Sequence, residues 1–300
     1  MQKLLQCIPN FSEGRRQNVI EQIAGTVRAV KGVRLLDVAP NPDHNRTVLT
    51  FVGPPEAVAE AAFAATAEAV KLIDMEQQKG EHPRMGAMDV VPFVPISGMT
   101  MDDAVSIAKL VGERIASELS LPVYLYSAAA TTPARKRLPD VRQGQYEGLK
   151  ETISRPERKP DYGEAKMHPS AGAVAVGARP PLIAFNVNLG TTNLQIAKNI
   201  AKGLRESSGG LVNVQALGVD LAEQGMVQVS MNLLDYTRTP IHRAYELVKV
   251  EAERHGVPVV GSEVVGLLPL DALIGAADFY LRLTDFKRGQ VLEARLLEEA

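Results

Sequence analysis

The order of predicted strands and helices repeats along this chain, and the repeat constrains the fold more than any single motif does. In the first copy, an apolar strand over residues 3–8 precedes a helix with apolar residues at helical spacing, which ends near Gly32. Two strands, an Ala-rich helix that begins near Pro54 and a strand over residues 89–96 follow. A second copy of this order begins at residue 182 and ends with a strand over residues 257–264. Both copies read βαββαβ.

Two copies of such a unit fit a chain of 300 residues, which is long enough for two apolar cores. We therefore expect an α+β fold of two tandem ferredoxin-like split βαβ subdomains, with mixed or antiparallel sheets and helices on their outer faces. The expected boundaries are residues 1–180 and 181–300. Between the copies, residues 99–119 are predicted to form an amphipathic helix, residues 121–128 a buried strand, and residues 127–178 mostly irregular chain.

Composition narrows the classes of function. A net charge of -2 provides no strong field for nucleic acid or an anionic membrane, and no apolar run approaches the length of a membrane span. Cys7 is the single cysteine and the five histidines lack the spacing of a helical zinc pair, so we expect neither a disulfide nor a metal site. These features favour a cytoplasmic protein that acts on small molecules.

The segment KGEHPRMGA, residues 79–87, is the most informative motif. It places His82 between two glycines, and an imidazole with an unperturbed pKa near 6.5 could act as general base and then as general acid at neutral pH. Arg84 could bind a carboxylate through two hydrogen bonds. The alternative is that His82 only caps a turn.

Other polar segments allow two interpretations. NPDHNRT, residues 41–47, is placed to gather a ligand at a sheet end, or it forms an ordinary turn in which His44 is structural. Residues 160–179 contain three glycines that would let the backbone approach a flat heterocycle, or they form a linker. The basic residues of the long irregular segment either serve a functional loop or lie on a solvated surface: Arg135, Lys136, Arg137, Arg142, Arg158 and Lys159.

Taken together, several separated blocks resemble the formiminotransferases, from about residue 4 to about residue 280. The blocks are IPNFSEG, DHNRTVLTFVG, KGEHPRMGAMDVVPFVP, LPVYLY, PDYGEAKMHPSAGAVAVGAR, LIAFNVNL, VQVSMNLLDY and GSEVVGLLP. Their number and common order make the resemblance highly specific. Ala39 departs from it, because the family often has an acidic residue there, and so does Val91, which is often cysteine.

The resemblance implies an enzyme of histidine degradation that transfers a formimino group from N-formimino-L-glutamate to N5 of tetrahydrofolate, its co-substrate. His82 falls on the family's catalytic histidine, while Arg46 and Arg84 are hypothetical contacts for the carboxylates of the substrates. The residues that the resemblance assigns to folate binding are Gly163, Glu164, Ala165, Lys166, Met167, His168, Pro169, Ser170, Ala171 and Gly172. It also implies a homodimer through the second repeat and, for ring closure of the product, a separate cyclodeaminase.

Two alternatives remain open at this point. The donor could be N-formyl-glutamate, because a carbonyl and an amidine carbon pass through similar tetrahedral adducts. The chain could instead be a non-catalytic folate-binding sensor or an RNA-binding protein, since split βαβ folds serve many tasks. RNA binding is disfavoured by the few Phe and Tyr residues in the strands and by the absence of Trp.

Overall fold

The computed structural model describes residues 3–80 and 82–299. The chain divides into two compact units, Met1–Arg179 and Pro180–Ala300. Each unit has an apolar cluster of its own among the described residues. None of the helices in the described ranges combines the length and the apolar character that crossing a bilayer requires.

The first unit is built on a seven-stranded sheet. Its strands are β1 (Leu4–Cys7), β2 (Asn10–Phe11), β3 (Arg34–Asn41), β4 (Arg46–Gly53), β5 (Met88–Ser97), β6 (Val123–Ser127) and β7 (Val174–Ala178). Both β1 and β2 pair antiparallel with β4 on one side and β5 on the other. They act as one strand interrupted at Pro9, which has no N–H group for the ladder.

The neighbours of this interrupted strand complete the expected split βαβ arrangement. β3 pairs antiparallel with β4 at one edge, while β7 pairs parallel with β5, and β6 parallel with β7, at the other. The helices of the first unit are α1 (Gln17–Ala29), α2 (Pro55–Leu72), α3 (Met101–Leu119), α4 (Leu138–Val141) and α5 (Gln145–Thr152). α1 buries Val19, Ile20, Ile23 and Val27, which lie on one face because they recur at helical spacing.

The second unit repeats this topology in a simpler form. Its elements are β8 (Ile183–Leu189), α6 (Leu194–Leu204), β9 (Val214–Leu221), β10 (Met226–Leu233), α7 (Ile241–Arg254) and β11 (Val259–Val265), followed by α8 (Leu270–Leu281) and α9 (Leu292–Glu299). The strand order is β11-β8-β10-β9, with every pair antiparallel. This order corresponds to β5, the interrupted strand, β4 and β3 in the first unit. The predicted fold class is therefore confirmed.

The segment predicted as mostly irregular, residues 127–178, contains more structure than its composition suggests. It forms the helices α4 and α5 and the strand β7. Prolines and glycines conceal the helices, because Pro139 occupies the first turn of α4 and Gly144 sits before α5 in the left-handed region, at φ 84°. Most of the segment is irregular, as predicted, but the sequence did not reveal these two helices, which bear on the site.

Candidate functional site

His82 lies on the connection between α2 and β5, and backbone hydrogen bonds hold this connection against the segment that leads into β7. The Met75 N–H donates to the Ser170 carbonyl at 2.7 Å, and the Ala87 N–H donates to the Ala171 carbonyl at 2.8 Å. The Ala173 N–H donates in return to the Met85 carbonyl at 3.0 Å. The segment predicted to bind folate thus ends beside the connection that carries His82.

Two glycines permit this close approach of backbones. A Cβ atom added at Gly86 would lie 2.0 Å from the carbonyl oxygen of Ala173, and one added at Gly172 would lie 2.5 Å from that of Met85. Gly172 also has a φ of 76°, in the region that favours glycine. Any side chain at either position would push the two segments apart.

On its other side, the connection is tied to the turn between β3 and β4 by Asn45. Asn45 is buried and has a φ of 48°, a conformation that Asn tolerates better than most residues. Its side-chain oxygen accepts from the Gly14 N–H at 2.9 Å, and its Nδ2 donates to the Lys79 carbonyl at 2.9 Å. Gln78 donates to the Asn45 carbonyl at 3.0 Å. These bonds place Arg46, the next residue, opposite His82.

Arg46 contacts the imidazole directly. Its Nη1 lies 2.6 Å from Nε2 of His82, and both side chains are half-buried. Because a guanidinium only donates, Nε2 must be the acceptor, so the proton of the neutral ring resides on Nδ1. The ring of His44 lies 6.1 Å away, centroid to centroid, tilted by 39°.

The surroundings of His82 strongly oppose its protonation. Burial, followed by the positive charges of Arg46 and Arg142 and by the neighbouring His44 and Arg84, lowers the pKa of His82 to about 2. The sequence alone does not reveal this shift, because two of the positive charges, those of Arg46 and Arg142, come from other parts of the chain. At neutral pH the imidazole is neutral.

Arg142, which follows α4, is a site residue that sequence reasoning did not single out. Asp89 is 1% exposed; its Oδ2 accepts from Nη2 of Arg142, and its Oδ1 accepts from the Met85 N–H at 2.9 Å. One buried carboxylate thereby ties Arg142 to the connection that carries His82. The only signal in the sequence was that Arg142 belonged to a group of basic residues in a long segment.

Arg84 is occupied by protein partners. Its Nε donates to Gln78 Oε1 at 2.8 Å, and its Nη2 contacts Glu147 Oε1 at 2.8 Å. Nη1 lies 3.3 Å from Gln145 Oε1, and the Arg84 carbonyl accepts from the Tyr146 N–H at 2.8 Å. Arg84 thus links the His82 connection to α5.

Residues 163–172 form an ordered turn. His168 and Gly172 exchange backbone hydrogen bonds of 3.1 and 3.3 Å, and Nδ1 of His168 accepts from the N–H groups of Ser170 and Ala171. Burial lowers the pKa of His168, which keeps the ring neutral as an acceptor. Glu164 and Lys166 are exposed, so their charged groups are available to a ligand.

Two buried atoms near His82 have no hydrogen-bond partner among the residues that the structure describes. They are Nε of Arg46 and Nε of Arg142. Buried N–H groups of a cation are costly to leave unpaired, and an anion that accepted from them would relieve that cost. A neutral imidazole beside such groups is suited to moving a proton next to an anionic ligand. Fold and site together define an α+β protein with a candidate acid–base site.

Comparison with known proteins gives the family. The N-terminal subdomain of the formiminotransferase domain matches residues 4–179, and the formiminotransferase domain matches residues 184–296. The chain belongs to the formiminotransferase family, which confirms the resemblance seen in the sequence.

The similar proteins fall into two groups, one about as long as this chain and one nearly twice as long. The glutamate formimidoyltransferase of Streptococcus pyogenes serotype M1 is 49% identical over 99% of this chain and 100% of its own length. That of Thermoplasma acidophilum is 47% identical over 99% of this chain and 98% of its length. The formimidoyltransferase-cyclodeaminase of Rattus norvegicus is 50% identical over 93% of this chain, which spans 53% of that longer protein.

Proposed function

We propose that this chain is a glutamate formimidoyltransferase, which transfers the formimino group of N-formimino-L-glutamate to N5 of tetrahydrofolate in histidine degradation. The relatives named glutamate formimidoyltransferase, similar over nearly their whole length, support the reaction. The observation that carries the mechanism is the neutral His82 imidazole beside two guanidinium groups, each with one buried N–H that no described residue accepts.

The proposed reaction requires one proton to be moved between two nitrogens. N5 of tetrahydrofolate forms a bond with the amidine carbon of the donor, and N5 loses its proton to His82. The bond between that carbon and the glutamate nitrogen then breaks, and His82 returns the proton to the departing nitrogen. The products are 5-formimino-tetrahydrofolate and glutamate. Because the ring ends as it began, one histidine serves as base and then as acid.

The substrate contacts are assigned on the basis of charge. The donor is a dicarboxylate and folate carries a glutamate tail, so we assign Arg46 to a carboxylate of the donor. We assign Arg84 to the same anion-binding region. Its role there is to hold the connection that carries His82, because it bonds to Gln78 and Glu147. We assign Gly163–Gly172 to tetrahydrofolate, supported by the hydrogen bonds that join its end to the His82 connection.

Further parts of the proposal concern the protein's context. We propose a cytoplasmic homodimer that associates through residues 181–300, and sedimentation equilibrium would test its mass. The similar rat protein is named for a cyclodeaminase as well as a transferase, and this chain spans about half of it.

The decisive experiment is spectroscopic detection of 5-formimino-tetrahydrofolate when the purified protein is mixed with tetrahydrofolate and N-formimino-L-glutamate. N-formyl-L-glutamate is assayed in parallel. We expect turnover of the formimino donor. Exclusive use of the formyl donor would make the chain a formyltransferase, and binding of folate without turnover of either donor would make it a sensor; both results would overturn the proposal.

The role of His82 is tested by single turnover in a His82→Gln variant. We expect the chemical step to slow by about 10²- to 10⁴-fold, the usual contribution of general acid–base catalysis. The matched control is His255→Gln, because His255 is exposed in the second unit. If the His82→Gln variant is folded and retains the wild-type rate, His82 takes no part in the proton transfer.

A further inference from the structure

In the free protein, the nitrogen of His82 that should accept a proton is already in use. Nε2 accepts a hydrogen bond from Nη1 of Arg46 at 2.6 Å, and Nδ1 carries the ring proton. A neutral imidazole has one lone pair in the plane of its ring, so no acceptor remains for a substrate N–H. Either Arg46 moves or His82 cannot act as a base through Nε2.

Within the described part of the chain, the three arginines beside His82 have two carboxylate partners between them. Arg142 is paired with Asp89, whereas the described residues provide no carboxylate partner for Arg46. Nε of each of these two arginines is buried, and no described residue accepts a hydrogen bond from it. A carboxylate suits this arrangement, because its two oxygens match the planar fork of a guanidinium.

Resting on the proposed function, we infer that Arg46 is a latch on His82: a carboxylate of the bound donor draws the Arg46 guanidinium away from Nε2, with Arg142 holding the same carboxylate, and so frees the base only when substrate is present. The ligand class is a dicarboxylic amino acid. Asp89 acts here as a positioning residue, since it orients Arg142 and contacts the Met85 N–H.

The charges around the ring determine the expected direction of change. Arg46 faces His82 from β4, Arg142 from the end of α4, His44 from the turn between β3 and β4, and Arg84 from the same connection. A bound carboxylate opposes the two nearest positive charges and removes the hydrogen bond to Nε2. Both effects make protonation of His82 easier, so the pKa rises toward its ordinary value. The base thus gains strength when its substrate arrives.

The test is an NMR titration of the His82 ring, with and without saturating L-glutamate, in the wild-type protein and in Arg46→Gln. In the wild type we expect L-glutamate to raise the proton affinity of His82 by at least about 100-fold. In Arg46→Gln the affinity should be raised already without L-glutamate, and the further response should be much smaller. Arg34→Gln is the control, because Arg34 is exposed on β3, and it should behave as the wild type does.

The latch is refuted if L-glutamate binds without changing the titration of His82, if it does not bind at all, or if Arg46→Gln titrates as the free wild type does. These results are independent of the transfer assay. A protein in which L-glutamate shifts His82 but no formimino group is transferred would refute the proposed function and leave the latch standing. Normal formimino transfer by a protein in which L-glutamate does not change the titration of His82 would refute the latch and leave the proposed function standing.

Discussion

Replacing Gly86 by alanine should destabilise the first unit and displace the connection that carries His82. The added methyl group would lie 2.0 Å from the Ala173 carbonyl oxygen and 2.7 Å from that of Ala171, whereas ordinary contacts of a Cβ atom begin at 3.4 Å. Both obstacles are backbone atoms, which cannot rotate away. The two segments must therefore separate by more than an ångström.

The cost follows from the hydrogen bonds that such a separation breaks. These are the bonds from the Ala87 N–H to Ala171 and from the Ala173 N–H to Met85, and all four residues are fully buried. A buried donor left without a partner costs roughly 1–3 kcal/mol, so two of them cost about 2–6 kcal/mol of unfolding free energy. Even a displacement of about 1 Å at a reacting group can slow a reaction by roughly 10²-fold.

Urea denaturation, followed by circular dichroism, measures the loss of unfolding free energy. The formimino-transfer assay measures the loss of reaction rate that the displaced connection should cause. The matched control is Gly25→Ala, because Gly25 lies inside α1 and an added Cβ there meets nothing within 4 Å. That change should stabilise the protein by about 0.5–1 kcal/mol, since alanine loses less backbone entropy in a helix. If Gly86→Ala unfolds at the same urea concentration as the wild type, the close approach of the two segments is not what holds them together.

Two further changes test the electrostatics of the site. The pKa of His82 is about 2 in the folded protein and near 6.5 in the unfolded chain. As the pH falls, the unfolded chain therefore binds a proton first, and the free energy of unfolding decreases below pH 6.5. Between pH 7.5 and pH 5.0 the wild type should lose about 2 kcal/mol more than His82→Gln in urea denaturation; equal losses would show that burial does not oppose protonation. Asp89→Asn keeps the shape of the side chain but leaves Arg142 without its counter-charge, so it should cost about 3 kcal/mol in thermal unfolding. Asp140→Asn, an exposed control nearby, should cost under about 1 kcal/mol, and similar losses for the two would contradict the assignment of a buried pair.

The repeated strand and helix order can be predicted from the sequence because each element carries its own local signal. In α1 the apolar residues recur at helical spacing, and α2 begins at Pro55 with Glu56 in its first turn. His82 could also be found locally, since it lies in a glycine-flanked loop within a block typical of the family. These signals need no knowledge of distant residues.

The electrostatics of the site could not be predicted in the same way. Arg142 lies 60 residues after His82 in the chain, and only the folded segment between β6 and β7 brings it near. Arg84, interpreted from the sequence as a substrate contact, finds three partners that the sequence does not reveal: Gln78, Gln145 and Glu147. Tertiary contacts determine both the charge around the base and the freedom of each arginine.

The duplicated fold explains why the candidate site lies in one copy. In the first unit, residues 73–87 connect α2 to β5, whereas in the second unit residues 255–258 make the equivalent connection from α7 to β11. A longer connection costs little extra closure entropy, but an ordered one needs partners for its backbone groups. Those partners come from residues 146 and 170–173, within the segment that follows the first copy. In the described part of the second unit, the short connection has no inserted segment of this kind beside it. The long connection and the inserted segment therefore depend on each other, and the candidate site belongs to that pair and not to the repeat itself.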